Sequence, residues 1–455
     1  MEEGFIIVTI EYYLGIVPVL FEERAPGPKP RARGVAPGLA PAFRRVFNNF
    51  RPGFSGLLRR NTSMKKFIAM MAALSMVAVM MTGCGGSSSS SAAADSGENS
   101  TAAGDTIKIG CLAPLTGEVS SYGIAVANAV QMAVDEINAA GGIGGTPIEL
   151  ITLDEKGDTT EAVNAYNSLV DQGVVAVIGD VTSKPCLAVA EVAAMDNMPM
   201  ITATGTAADI TQAGPNVFRT CFMDPFQGRI MATFAADELG CQKVAVMYDN
   251  GSDYSQGLAD AFQAQAEEKG MTVTAFESYA SGDTDFTTLL NKIIATEPDA
   301  IFVPDYYGKV SLILDQARSA GFDGPMLGGD GWDGVLSTLP EDKLSVANNG
   351  YFSNHYSATD TDPVVVNFLE GYKELFDIDA NAFAALGYDS AYILKNAIEA
   401  AGSTEAAAII DALAETKYDG VTGHITFDAN GDPIKSVAIT QFVDGTAQLA
   451  TKITA

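Results

Sequence analysis

Short runs of β-branched residues alternate with longer amphipathic stretches along the chain from Thr106 onward. The run from Ile107 to Leu112 predicts a strand, and the stretch from Gly123 to Ala140 places apolar residues at helical spacing. Gly141-Gly142 then ends this helix. Because strands and helices alternate with short links, we predict an α/β fold with parallel sheets that helices cover on both faces.

The same order of elements occurs twice, which predicts two lobes, each with its own sheet. The first series continues with strand Ile148–Leu153, a helix from Asp158, strand Val174–Ile178, a helix near Pro185–Asp196 and strand Met200–Thr202. The second series comprises strand Val244–Tyr248, helix Ser255–Lys269, strand Val273–Phe276, helix Phe286–Ala295, strand Ala300–Val303, helix Val310–Ala320 and strand Met326–Leu327.

The pattern changes after Tyr351–Tyr356, a strand-like piece. Helices are expected around Val364–Phe376, Ala382–Ala400 and Thr404–Glu415. Near the end, Ile425 to Phe427 and Val437–Val443 flank the turn residues Asp428 to Asp432, which predicts a hairpin. Patterning alone assigns this region to neither lobe.

A targeting segment precedes the folded part. Met64-Lys65-Lys66 is basic, and the apolar or small residues from Phe67 to Met81 are too few for a membrane span but suit a signal peptide. Met81-Thr82-Gly83-Cys84 resembles a bacterial lipobox, in which the cysteine becomes the lipidated first residue. We expect a lipoprotein signal peptide at 64–83, lipidation of Cys84 and a flexible tether at 84–104. An ordinary cleaved signal or a membrane anchor is the alternative.

Residues 1–63 would then precede the signal peptide, and we expect them to be a non-native upstream extension from a mis-set start codon. The alternative is a membrane segment at Phe5–Phe21, which has to accommodate Glu11 in mid-span at a high cost.

Charge argues against a polyanionic partner. The chain of 455 residues carries a formal net charge of −29, and the N-terminal 63 residues are the basic part. The rest of the chain is therefore strongly acidic and repels nucleic acid and anionic membranes.

Motifs for catalysis and for metal binding are absent from the sequence. His355 and His424 lack partner motifs, and no HExxH, GxSxG or GxxxxGK[ST] occurs. We expect no catalytic residues, no metal site and no cofactor. Asp249 and Asp253, like Asp428 to Asp432, fit turn chemistry better than calcium ligation.

The four cysteines after Cys84 lack metal-type spacing. Free cysteines buried as small hydrophobic residues are favoured over two disulfides, and the four are Cys111, Cys186, Cys221 and Cys241.

Small hydroxyl residues collect where strands of the first series end, at Gly179 to Ser183 and at Thr202 to Thr206. Ligands of open α/β sheets lie beyond the carboxyl ends of strands, where helix N-termini offer free N–H groups, so Ser183 and nearby amides suit a carboxylate. Strand ends of the second series offer Asp330, with Tyr254, Tyr306 and Tyr307. An acidic group facing such donors suits a zwitterion, although each residue also fits ordinary loop packing.

Several short motifs carry a family resemblance, in order: Ala113-Pro114-Leu115-Thr116-Gly117, Ser121-Tyr122-Gly123, Ile178-Gly179 with Thr182-Ser183, Thr204-Gly205-Thr206, Phe218-Arg219-Thr220, Asp253-Tyr254-Ser255-Gln256-Gly257 and Gly328-Gly329-Asp330-Gly331-Trp332-Asp333. From about Thr106 to Ala455 the chain resembles the branched-chain amino-acid (Leu/Ile/Val) binding proteins of ABC transporters. The resemblance implies the type I periplasmic binding fold: two doubly wound lobes joined by a multi-strand hinge, with the ligand cleft between them. We expect lobe 1 at 105–222 and 353–428, and lobe 2 at 223–352 and 429–455.

The resemblance also implies roles for individual residues. Ser183 is expected to bind the ligand carboxylate, Thr204 and Thr206 to receive the α-amino group, and Asp330 to pair with it where better-known members have glutamate. Gly205 is also expected at the site. Tyr122, Tyr254 and either Tyr306 or Tyr307 are expected to form the aromatic wall of the pocket. Trp332 is expected to shape the side-chain pocket, with Tyr388 a weaker candidate. Thr182 replaces a disulfide cysteine of some members, so that bridge is expected to be absent.

The function implied is capture of an amino-acid-like solute outside the membrane by a lipid-anchored monomer that serves ABC permease subunits. A ligand-sensing receptor module is the alternative, disfavoured because no transmembrane or signalling segment follows the fold before Ala455. An extracytoplasmic hydrolase would need a nucleophile and base that the sequence lacks.

Overall fold

The computed structural model describes residues 106–453 and two short N-terminal strands. Those strands, Ile6–Val8 and Val19–Phe21, pair antiparallel and are the described parts of the segment weighed above as a membrane span. The expected signal peptide, Cys84 and the tether lie outside the described residues. Among the helices that the structure describes, none has the length and apolar character required to span a membrane.

The first sheet has five parallel strands in the order β2-β1-β3-β4-β5. The strands are β1 (Ile107–Ala113), β2 (Ile148–Asp154), β3 (Ala176–Ile178), β4 (Met200–Thr202) and β5 (Val217–Arg219). The helices between them are α1 (Ser120–Ala139), α2 (Thr159–Asp171), α3 (Ser183–Asp196) and α4 (Asp209–Gln212). Asp158 caps α2 by accepting hydrogen bonds from the Thr160 and Glu161 amides, which explains the helix start read from the sequence.

The second half of the chain supplies nine strands. They are β6 (Lys243–Asp249), β7 (Thr272–Tyr279), β8 (Ala300–Phe302), β9 (Met326–Gly328), β10 (Gly350–Asn354), β11 (Lys417–Gly420), β12 (Gly423–Thr426), β13 (Val437–Val443) and β14 (Thr446–Ile453). Seven of them form one sheet in the order β14-β13-β10-β9-β8-β6-β7, and β11 and β12 pair separately. The pairs made by β13 are antiparallel, and the others in the seven-stranded sheet are parallel.

The helices of the second half divide between the two sheets. They are α5 (Asp224–Asp237), α6 (Asp253–Glu268), α7 (Thr287–Ile294), α8 (Tyr307–Ser319), α9 (Val335–Thr338), α10 (Pro363–Phe376), α11 (Ala382–Ala401) and α12 (Ala406–Ala414), with 3₁₀ turns at Asp330–Trp332 and Glu341–Ala347. Helix α5 packs on α6, whereas α10 and α11 pack on α1.

Two lobes therefore form, and the chain passes between them three times. Lobe 1 contains the first sheet with α1–α4, α10–α12 and the β11–β12 hairpin, and lobe 2 contains the second sheet with α5–α9. The crossings fall at residues 220–223, 355–362 and 427–436. The predicted α/β fold with two lobes is confirmed, and the exact lobe boundaries given above stay a prediction.

The predicted hairpin between Ile425–Phe427 and Val437–Val443 is wrong. The turn itself forms, since the Asp428 amide donates to Asp432 O at 2.8 Å and Phe427 bridges Pro433. Beyond the turn the chain leaves lobe 1, so β12 pairs with β11 and β13 pairs with β10 and β14. The turn marks a crossing between lobes, a distinction that local turn chemistry does not make.

Helix α5 was not predicted from the sequence because its glycine and mixed polarity weaken the helical pattern. Its Gly228 lies against α6, where an added Cβ atom would be 2.8 Å from the carbonyl oxygen of Leu258. The glycine thus permits the close contact of α5 with α6.

Arg219 ties the end of β5 to the third crossing. Its Nε atom lies 2.6 Å from Asp432 Oδ1, off the line of the N–H bond, so this contact is an ion pair and not a hydrogen bond. Its terminal nitrogens donate to the carbonyl oxygens of Gly205, Ala207 and Ala208 at 2.9–3.2 Å. The guanidinium is fully buried and holds the loop after β4 in place.

Replacing Arg219 by methionine should lower the free energy of unfolding by about 3–5 kcal/mol, because Asp432 is left as a buried charge without its partner. Urea denaturation of the purified variant measures this change. As a control, Lys292→Met breaks the exposed ion pair with Glu277 and should cost no more than about 1 kcal/mol. Equal losses in the two variants would contradict the anchoring role of Arg219.

Candidate ligand-binding site

A small cavity lies between the lobes at the carboxyl ends of both sheets. In this closed conformation its free volume is about 10 Å³, on the order of the space that one water molecule needs. Both lobes contribute to its wall, which is formed by Val181, Thr182, Ser183, Thr204, Thr206, Tyr254, Tyr306, Asp330, Gly331 and Phe383. The site is therefore nearly filled by its own walls, and a larger solute enters only when the lobes or the wall side chains move apart.

The lobe 1 side of the cavity presents donors. Ser183 is the first residue of α3, where backbone N–H groups lack acceptors within the helix and the helix dipole favours an anion. Its hydroxyl accepts a hydrogen bond from the Ala207 amide at 3.2 Å, so its own proton is free for a ligand. The Thr204 hydroxyl donates to Val181 O at 2.7 Å. This side suits a carboxylate.

The lobe 2 side presents a buried acid, Asp330, which is 2% exposed. Its Oδ1 atom accepts hydrogen bonds from Gln227 Nε2 and from the Tyr254 hydroxyl, both at 3.0 Å. Its Oδ2 atom lies 3.1 Å from His355 Nε2. Burial lowers the pKa of His355, which stacks on Phe222 with ring centroids 3.7 Å apart. The acid is thus surrounded by neutral donors.

Aromatic rings close the remaining wall. Tyr254 stacks on Tyr306 with centroids 4.8 Å apart. Tyr122 stacks on Phe383 at 4.0 Å and meets Tyr306 edge to face at 5.8 Å. These rings, together with Val181, offer an apolar surface for a side chain.

The two lobes touch each other around the cavity. The Tyr122 hydroxyl of lobe 1 donates to Gly331 O of lobe 2 and accepts from the Tyr307 amide at 3.2 Å. The Tyr307 hydroxyl donates to Glu118 O at 2.7 Å, and Lys184 Nζ lies 3.3 Å from Gly251 O. The cleft is therefore closed.

Six of the residues expected at the site line the cavity: Ser183, Thr204, Thr206, Tyr254, Tyr306 and Asp330. Tyr122 does not line the cavity; it stacks on the wall residue Phe383. Tyr307 contributes a contact between the lobes, and Gly205 uses its carbonyl for Arg219 and its amide for Thr202 Oγ1.

Trp332 lies elsewhere, in the core of lobe 2. Its indole N–H donates to Val303 O at 2.8 Å, and its ring stacks on Phe442. An added Cβ atom on Gly328 would lie 2.0 Å from Trp332 Nε1, so this glycine admits the indole and not a ligand. Tyr388 is also remote, since its hydroxyl donates to Glu136 on the outside of lobe 1.

The sequence reasoning missed Phe383, Gly331, Thr182 and Val181 as wall residues. Phe383 begins α11, which the pattern assigned to neither lobe. The others adjoin Ser183 and Asp330, and this proximity was the available signal.

The four cysteines predicted to be buried and free are so. Asp249 and Asp428 accept hydrogen bonds from backbone amides of their own turns, as expected from turn chemistry.

A pair of buried acids lies behind the lobe 1 wall. Glu155 follows β2 and Asp180 follows β3, and neither side chain is exposed. One oxygen of each, Glu155 Oε1 and Asp180 Oδ2, has no hydrogen-bond partner. Burial raises the pKa of Asp180 to about 7, and burial together with the charge of Asp180 raises the pKa of Glu155 to about 9.

The fold and the cavity define a class: an α/β solute-binding protein whose two lobes close over a small ligand. The periplasmic binding protein family matches residues 106–447, and the chain belongs to it. This is a family of binding proteins of transporters and not of enzymes, and its members act outside the cytoplasm.

Named relatives agree with this assignment. A Leu/Ile/Val-binding protein homologue of Brucella melitensis is 35% identical over 338 residues, which cover 73% of this chain and 90% of the relative. The leucine-binding protein LivK of Thermotoga maritima superposes with a TM-score of 0.71 at 36% identity, over 77% of this chain and 99% of LivK. LivJ of Streptococcus pneumoniae, solved with isoleucine, gives a TM-score of 0.72 at 35% identity, over 77% and 100%. The resemblance read from the motifs is confirmed.

Stability should fall as pH rises from about 5 to about 9, since the folded protein keeps protons on Glu155 and Asp180 that the unfolded chain has released. Each retained proton changes the unfolding free energy by about 1.4 kcal/mol per pH unit. Asp180→Asn removes one of the two acids and should flatten this dependence in denaturation curves. The exposed Asp171→Asn should keep the wild-type slope, and an unchanged slope in Asp180→Asn would contradict the raised pKa values of these carboxyls.

Proposed function

We propose that the protein is an extracytoplasmic substrate-binding lipoprotein of an ABC importer that captures an amino acid, branched-chain or related, between its lobes. The observation that carries the proposal is one closed cavity with a helix N-terminus on one side and a buried acid on the other. An α-amino acid carries the two matching charges. The Brucella, Thermotoga and Streptococcus relatives are named for leucine, isoleucine or valine.

Each part of the ligand then has a partner. Ser183 and the first amides of α3 hold the carboxylate, while Asp330 pairs with the ammonium. Thr206 and the backbone of Thr204 complete the polar contacts. The side chain lies against Val181, Phe383 and Tyr306. Charge-assisted hydrogen bonds contribute about 1.5–3 kcal/mol each, so a few of them support roughly micromolar affinity after ordering costs.

Closure of the two lobes over the ligand is the step that links binding to transport. The three crossings between the lobes form a hinge, and a ligand that bonds to both lobes at once stabilises the closed state over the open one. Permease subunits that recognise the closed state thereby select the loaded protein. The monomeric state expected from the sequence stays a prediction.

Calorimetry of the purified protein with the twenty amino acids tests the proposal. At least one branched-chain amino acid should bind at a single site with roughly micromolar affinity. At a concentration one hundred times the dissociation constant, it should stabilise the fold by about 2.7 kcal/mol. Heat changes at the level of dilution for every amino acid would contradict the proposal.

The matched variants for this titration are Asp330→Asn and Asp323→Asn. Removing the buried charge should weaken binding by about a hundredfold, because the ammonium is left desolvated without its partner. Asp323 is exposed, so its substitution should leave binding unchanged. Equal affinities in the two variants would remove Asp330 from the site.

The lipid anchor has its own test. Cells fed with labelled palmitate should incorporate the label into the wild-type protein, and Cys84→Ser should abolish the label and release the protein from the membrane fraction. The nearby Ser87→Ala keeps the cysteine and should remain labelled. Wild-type protein without label, or a Cys84→Ser variant that stays on the membrane, would show that the chain is not anchored in this way.

A further inference from the structure

A second buried acid, Asp224, lies next to the cavity without lining it. It is the first residue of α5, directly after the first crossing between the lobes, and is 1% exposed. Its amide donates to Thr206 O at 2.9 Å, so its position is tied to a wall residue of lobe 1. Its Oδ1 atom accepts from Gln227 Nε2 at 3.1 Å.

Gln227 joins Asp224 to Asp330. Its Nε2 group donates both protons to carboxyl oxygens, one on Asp224 and one on Asp330 at 3.0 Å. Its Oε1 atom accepts from the Asp330 amide at 3.1 Å and from the Ser353 hydroxyl at 2.7 Å. All four hydrogen-bonding positions of the amide are filled, so Gln227 is fixed and in turn orients Asp330.

Asp224 and Asp330 both accept a hydrogen bond from the Gln227 amide nitrogen, so their carboxyl groups lie close together and their charges are coupled. Both are buried, and two ionised carboxylates this close repel each other strongly. The neighbouring groups bring no counter-charge to the two acids. Burial lowers the pKa of His355, and it raises the pKa of Tyr254 and Tyr306, whose hydroxyls stay uncharged. Arg219 is paired with Asp432, and the buried Lys435 donates to Thr220 O and Thr422 Oγ1. An amino acid brings one ammonium, which matches one carboxylate.

Asp330, and not Asp224, is the acid in position to meet that ammonium, since it lines the cavity. Burial, followed by the charge of Asp330, raises the pKa of Asp224, whereas the Thr206 hydroxyl and Gln227 act in the opposite direction. The Oδ2 atom of Asp224 has no hydrogen-bond partner of good geometry, so an ionised carboxylate would lack a stabilising donor there.

We propose that Asp224 is a positioning residue of the ligand site that works as an un-ionised carboxylic acid. Through Gln227 it fixes the Asp330 carboxylate, and its neutrality leaves the site with one negative charge for one ammonium. This rests on the proposed capture of an amino acid. The consequence is that binding of one ammonium releases no proton from the site.

The test is calorimetry of the full protein with L-leucine, L-isoleucine and L-valine. Asp224→Asn keeps an acceptor and a donor in place of the acid, so its affinity for the branched-chain amino acids should stay within about threefold of wild type. Asp224→Ala leaves a Gln227 N–H without its acceptor and should weaken binding about tenfold or more.

Net proton exchange gives a readout that a purely structural role would not move. Titrations at about pH 7.5 in two buffers of different ionisation enthalpy should show no proton release on binding by the wild type or by Asp224→Asn. Asp253→Asn, at the same position of helix α6 but exposed, is the matched control and should bind as the wild type does.

Three outcomes would overturn the inference while the wild type still binds amino acids: an Asp224→Asn loss as large as that of Asp330→Asn, wild-type affinity in a folded Asp224→Ala, or a proton released by the wild type but not by Asp224→Asn. If Asp224→Ala fails to fold, the asparagine variant and the proton count decide. Failure of the wild type to bind any amino acid would instead refute the proposed function.

Discussion

The carboxylate of Asp330 is buried among neutral donors, and this constraint organises the site. Gln227, Tyr254 and His355 bond to its oxygens, but none of them brings a positive charge. Burying a charge without a counter-charge is costly, and closing the lobes removes the water that would offset it. In the proposed function a ligand ammonium restores the balance, so the same interaction that gives recognition would also favour closure when the ligand is present.

The rest of the scaffold sets the geometry for that interaction. Parallel strands bring the start of α3 and the turn containing Asp330 to facing edges of two sheets, and the hinge crossings bring those edges together. Arg219 holds the loop that carries Thr204 and Thr206 by bonding to its carbonyl oxygens. In the proposed function the opposite charges of a small zwitterion are met from different lobes, which would link binding to hinge motion.

Much of the fold and of the site was predictable from the sequence, because the patterns that indicate them are local. Strand and helix periods gave the two-lobe α/β fold, and polar residues directly after strands identified Ser183, Thr206 and Asp330 as candidates for one site. Features that depend on long-range packing were not predictable in this way. Phe383 reaches the cavity from a helix that follows two crossings between lobes, Trp332 turns into the core because Gly328 makes room, and β13 pairs with β10 instead of completing a hairpin.

The most direct measurement is a crystal structure of the protein with a bound branched-chain amino acid. We expect the ligand in the cavity between the lobes, with its ammonium within hydrogen-bond distance of Asp330 and its carboxylate at Ser183 and the first amides of α3. A ligand bound outside this cavity, or one whose ammonium lies away from Asp330, would contradict the central role given to that carboxylate.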